Sequence, residues 1–110
     1  MDIFAGVPVS SLPRAVDWFD RLLGDVESYH PNDIERIWTL IAHDHVYVVV
    51  APDDAGHGRL TLFVDDLDGF LSSAAERNVV PESQETYKNG VRKAVFRDPD
   101  GNEIGVGGKG

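Results

Sequence analysis

One short pattern occurs twice in this chain. Val9-Ser10-Ser11-Leu12 and Val64-Asp65-Asp66-Leu67 stand half a chain length apart in 110 residues. Each closes an apolar-rich segment suited to a strand and opens an amphipathic one. After the first copy, Leu12, Ala15, Val16, Phe19, Leu22 and Leu23 recur at the i, i+3, i+4 spacing of one helical face. After the second, Leu67, Phe70, Leu71, Ala74 and Ala75 do the same. Ser11 and Asp66 stand where N-caps belong, Pro13 falls in a first turn, and Gly24 ends the first helix.

Strand patterns follow each helix. Glu27 to His30 is a weak strand, Ile34 to Ala42 a better one, and Val46 to Ala51 a strong β-branched one, with His43-Asp44-His45 as a tight connection. Pro52 to Gly56 is the loop between halves. Arg59 to Val64 leads into the second helix. Val79 to Tyr87 and Val91 to Phe96 flank a Lys88-Asn89-Gly90 hairpin turn, and Asp98 to Asn102 is a turn before a last strand near Glu103 to Val106. Each half therefore reads β-α-β-β-β. The expected fold is α+β: one domain over 1–110, built from two tandem βαβββ modules (about 1–52 and about 57–110) that form a cupped, mostly antiparallel sheet.

Composition narrows the class. With 42% hydrophobic and 26% charged residues the chain is of ordinary globular type. It has no cysteine, so disulfides, thiolate metal sites and thiol nucleophiles are excluded. A net charge of −9 opposes nucleic acid, whose phosphates need clustered Lys and Arg; it suits solubility or a field that draws in a cationic small molecule. Met1 to Val9 has no basic leader, its apolar run is broken by Pro8, and no stretch reaches the ~18 apolar residues of a membrane span. A cytoplasmic protein with no membrane or nucleic-acid partner is expected.

Two longer segments carry a resemblance. Val7 to Gly24 reads Val-Pro-Val-Ser-Ser-Leu-Pro-Arg-Ala-Val-Asp-Trp-Phe-Asp-Arg-Leu-Leu-Gly, and Phe96 to Asn102 reads Phe-Arg-Asp-Pro-Asp-Gly-Asn. With Val64-Asp-Asp-Leu67 between them, they resemble the opening strand and helix, and the last turn, of the glyoxalase/bleomycin-resistance/dioxygenase (vicinal-oxygen-chelate) superfamily. The resemblance covers essentially the whole chain. The Asp98–Asn102 turn itself is assigned a structural role, because its side chains can bond nearby backbone N–H groups.

The resemblance also implies where a metal would sit. Metal-dependent members take His and Glu ligands from the first strand, the fourth strand, the strand before the second helix and the last strand. Carried over, these positions fall on Phe4, on the valine run Val48 to Val50, on Arg59 and on Gly105. Phe, Val and Gly cannot ligate, and Arg59 would repel a cation. No metal and no cofactor are therefore expected. His57 shares the strand parity of Arg59 and Glu103 that of Gly105, so displaced ligands from His57, Glu103 and His45 form the alternative. His30 and His43 read as surface residues. No Ser/His/Asp arrangement, P-loop or dinucleotide fingerprint appears.

A metal-free cup suits binding more than Lewis-acid chemistry. Phe4, Trp38, Tyr47, Arg59, Thr61 and Phe63 are the candidates for its ligand-binding face: Trp38 to stack on a planar ligand, Arg59 to hold a carboxylate or phosphate. Trp18 and Phe19 belong to helix–sheet packing, and Arg92 and Tyr87 stand near the mouth or in water. The expected function is binding or sequestering a small molecule, as drug-binding family members do, with no catalytic residue assigned. The alternative is a metal-dependent lyase, isomerase or dioxygenase with displaced ligands, and a third reading is a domain acting through protein contacts alone. A homodimer is implied by the resemblance only. The two charge cues, an acidic chain and a central Arg59, leave the sign of the ligand open.

Overall fold

Both copies of the tetrapeptide start a helix in the computed structural model, which describes residues 1–109. The Ser11 side chain accepts the Arg14 N–H at 3.4 Å and Asp66 accepts that of Gly69 at 3.0 Å, each pairing an amide that lacks a partner within its own helix. Helix α1 spans Leu12–Leu23 and turns Ala15, Trp18, Phe19 and Leu22 into the core. It stops at Gly24, whose φ of +82° suits a residue without Cβ. Helix α2 spans Leu67–Glu76 and buries Leu67 and Ala74.

The strands complete two β-α-β-β-β units. The first has β1 (Ile3–Val9), β2 (Ser28–Asn32), β3 (Glu35–Ile41) and β4 (Asp44–Val50); the second has β5 (Arg59–Phe63), β6 (Ser83–Thr86), β7 (Val91–Arg97) and β8 (Glu103–Lys109). Several boundaries differ from the sequence reading. The turn after β3 is confined to Ala42 and His43, so Asp44 and His45 already belong to β4. Strand β2 runs on past His30 to Asn32; Pro31 is tolerated in it because β2 is an edge strand with no neighbour on one side. Strand β6 is shorter than expected, and β8 runs on through Gly107 and Gly108. The Lys88-Asn89-Gly90 turn forms as read, with Gly90 at φ +84° and the Tyr87 N–H donating to the Val91 carbonyl at 2.8 Å.

Each unit makes its own four-stranded sheet, in the orders β1-β4-β3-β2 and β5-β8-β7-β6. The cup is thus two mixed sheets and not one continuous sheet. Two ladders in each are antiparallel, while β1 with β4 and β5 with β8 are parallel. The helix supplies the crossover that lets the first strand of each unit return parallel to the last. Helix α1 packs on β3 and β4, and α2 on β8, so each sheet has one covered and one helix-free face. Val7, Val9, Trp38, Val46 and Val48 on the first covered face join Ala94, Phe96, Ile104 and Val106 on the second in one buried cluster. No described helix is long and apolar enough to cross a membrane.

Candidate functional site: the cleft between the modules

The edge strands β1 and β5 lie side by side but belong to different sheets. One end of this junction is fastened by Asn102, which is wholly buried. Its side-chain oxygen accepts the N–H groups of Gly56 (3.0 Å) and Gly58 (2.7 Å), and its amide nitrogen donates to the Pro8 carbonyl (2.7 Å) and to Asp98 (2.8 Å). Asp98 in turn accepts the N–H groups of Asp100 and Asn102, the structural role expected for this turn. Burial still pushes the Asp98 carboxyl above the usual carboxylate range. Gly58 is required here, because a Cβ would lie 2.8 Å from Pro8 Cδ and 2.9 Å from the Asn102 oxygen.

Away from this fastening the junction opens into a cleft of about 450 Å³. Ile3 and Ala5 of β1 and Leu60 and Leu62 of β5 form its walls; Leu23 at the end of α1, Val26 after it and Phe70 of α2 add to its apolar lining. Asp44, His45 and Thr61 are its polar lining residues. A pocket of this size with apolar walls and few polar groups has the general character of a small-molecule site.

The residues expected to face a ligand divide into three groups. Thr61 and Phe63 line the cleft, with Phe63 67% exposed. Phe4 and Tyr47 lie on the helix-free face of the first sheet: Phe4 stacks on His45 at 4.3 Å between ring centroids, and Tyr47 covers Gly6, where a Cβ would collide with its ring. Trp38 is a correction. It is fully buried on the opposite, helix-covered face, 5.4 Å from the Phe19 ring, with its indole N–H donating to Asp20 at 2.9 Å. It cannot stack on a ligand without the core opening. Arg59 lies on the helix-free face as expected but is not free, since Glu103 pairs with it at 3.1 Å. Arg92 is a second correction: it faces α2 and pairs with Asp68.

On the helix-free face of the second sheet, strand register sets three rows across β5, β8 and β7. They are Arg59–Glu103–Arg97, Thr61–Gly105–Val95 and Phe63–Gly107–Lys93. The two glycines leave a shallow trough whose floor is backbone. The Lys93 stem leans over it: a Cβ on Gly105 would lie 2.5 Å from Lys93 Cε and 3.3 Å from both Lys93 Nζ and Thr61 Oγ1. Neither Lys93 nor the apolar cleft walls stood out in the sequence. Alternation along β1, β5 and β7 assigns their faces, but only the pairing of neighbouring strands brings them together.

The chain's residues do not fit a vicinal-oxygen-chelate metal. The β4 residue beside Phe4 is His45, not a valine, because the strand starts two residues earlier than read. His45 spends Nδ1 on Thr39 Oγ1 and Nε2 on Asp2, and His43 Nδ1 contacts the other Asp2 oxygen at 2.8 Å. These contacts, His43 foremost, hold the Asp2 carboxyl below its ordinary range. In the second module Glu103 is paired with Arg59 and approached by Arg97 at 3.5 Å, and His57 precedes β5, whose pairing with β8 shows no register shift. Among the described residues no group of three or more His, Cys, Asp or Glu is placed to hold a metal ion.

No family model and no curated protein sequence matches this chain. Solved structures do. A glyoxalase/bleomycin resistance protein from Catenulispora acidiphila is 44% identical over 100% of this chain and 99% of its own, with a TM-score of 0.94. TnmS3, an antibiotic binding protein from Streptomyces sp. CB03234, is 28% identical over 100% of this chain and 96% of its own, at 0.76. A lactoylglutathione lyase from Agrobacterium tumefaciens, 16% identical over 98% and 92% at 0.78, shares the fold. Paired βαβββ modules, the repeated cap motif and the full-length 44% identity place this chain in the glyoxalase/bleomycin-resistance superfamily.

Proposed function

We propose that this protein binds a small, largely apolar molecule in the cleft between its modules, without a metal ion. The observation that carries this reading is the cleft itself: about 450 Å³, walled by Ile3, Ala5, Leu60, Leu62 and Phe70, in a chain with no described metal-holding cluster. The antibiotic-binding relative TnmS3 supports the same class of ligand. Thr61 and Phe63 line the site, while Phe4 and Tyr47 lie on the helix-free face of the first sheet, outside its lining. Two copies pair, as the superfamily resemblance implies, and sedimentation of the purified chain measures this.

The test uses chelator-washed protein titrated with a panel of amphipathic antibiotics, followed by calorimetry and thermal shift. At least one compound binds and raises the melting temperature. Ala5→Phe, which fills the cleft from a half-buried position, weakens that compound about tenfold, or ~1.4 kcal/mol. Unchanged affinity in Ala5→Phe puts the ligand elsewhere. A parallel titration with Ni²⁺, Zn²⁺, Mn²⁺ and Fe²⁺ gives no stoichiometric binding; micromolar binding of any of them restores the metal-dependent reading.

A further inference from the structure

Four cations, Arg59, Lys93, Arg97 and Lys109, lie on the helix-free face of the second sheet; the two arginines are already spent, and exposed Lys109 stands at the end of β8 opposite Val91. Glu103, with only 17% of its side chain exposed, pairs with Arg59 and lies within ion-pair distance of Arg97, while Arg97 also holds Glu82 at 2.9 Å. Lys93 differs. Its cross-strand neighbour is Glu85, but the Lys93 stem leans the other way, over Gly105. Glu85 instead stands by the Tyr87 hydroxyl and pushes that phenol's pKa up. Among the described residues the Lys93 ammonium makes no ion pair or hydrogen bond.

The surroundings of that ammonium define a ligand chemistry. Nζ and Thr61 Oγ1 converge over Gly105, each 3.3 Å from the point a Cβ would occupy. An ammonium and a hydroxyl at one spot suit a carboxylate, whose two oxygens each accept a hydrogen bond. Phe63 lies in the next row over Gly107, so an aromatic ring is available beside that spot. The absent Cβ atoms at Gly105 and Gly107 let the Lys93 stem and the Phe63 ring lie close against the sheet, side by side. Thr61 and Phe63 also border the apolar cleft.

The geometry points to Lys93, with Thr61, as the anion-binding group for a flat aromatic carboxylate whose ring lies against Phe63. This deepens the proposed binding function and rests on it for the apolar half of the site. It also resolves the two charge cues of the sequence: a chain of net charge −9 offers an anion the unpaired Lys93 beside Thr61, while Arg59 is held by Glu103. The local charge decides the contact, because the wider field is screened beyond about 10 Å at ordinary salt.

The experiment compares 2-naphthoate with the neutral 2-naphthamide on the full-length protein, by calorimetry and amide NMR at low salt. Naphthoate binds about fivefold tighter than naphthamide, and it shifts the amides of Thr61, Phe63, Gly105 and Gly107. Lys93→Met abolishes the preference by weakening naphthoate; Lys93→Arg keeps the preference. Equal binding of the two probes, a preference that survives in Lys93→Met, or shifts confined to another surface overturns the inference. The two proposals fail separately. Naphthamide binding without discrimination removes only the role of Lys93. Naphthoate binding on the sheet face with no panel compound in the cleft removes only the antibiotic-type reading.

Discussion

An asparagine amide offers two donors and two acceptor sites, and Asn102 uses all four on Gly56, Gly58, Pro8 and Asp98. Its partners Gly56, Gly58 and Pro8 stand 46, 44 and 94 residues away, which is why the sequence shows only a turn residue there. Asn102→Ala leaves two part-buried N–H groups and a carbonyl without partners. The expected cost is about 3 kcal/mol, read as a lower urea midpoint, and a loss under ~1 kcal/mol would show that water replaces the side chain. Asp2 makes the second residue-scale prediction. Its folded pKa is depressed, so the stability it contributes is present above the unfolded value, near pH 4, and is lost as pH falls through the folded value. By carboxyl NMR, Asp2 titrates below the ordinary Asp range in the native chain. In His43→Ala, which removes the largest cause, it moves back toward that range.

At the scale of elements, helix α1 is closed by a residue from outside it. Arg77 Nε donates to the Arg21 carbonyl at 2.6 Å and Nη2 to that of Leu22 at 3.4 Å, so a cation sits at the negative end of α1. Arg77→Ala costs about 1.5 kcal/mol and speeds amide exchange in the last turn of α1; exchange unchanged there would assign Arg77 no capping role. The helices were legible because caps and i, i+3, i+4 spacing are local signals. Strand faces were less so. Ile37 and Trp38 are adjacent, both apolar and both buried, so alternation gives no parity, and Trp38 was placed on the wrong face. What fixes its side is Asp20 on α1, 18 residues earlier, which takes its indole N–H. His43-Asp44-His45 has turn-like composition, yet Ala42 at φ +28° makes the bend early enough for Asp44 to begin β4.

For the whole molecule, the repeat was the strongest signal, since two copies of one cap motif half a chain apart require two copies of one unit. The pairing of edges was not readable, because register between distant strands depends on contacts such as Asn102 with Pro8. The candidate site was legible in part for the same reason: Thr61 and Phe63 follow from alternation within β5, whereas Lys93 enters their row only through β8. The two ends of the junction carry different duties. At one, a single buried amide and close glycine contacts tolerate almost no change; at the other, apolar side chains meet across open space with no backbone hydrogen bonds between the sheets. Substitutions that reshape the open end therefore leave the fastening intact. A lineage built this way can reshape its cleft by drift at a few wall positions, with little penalty in folding along the way.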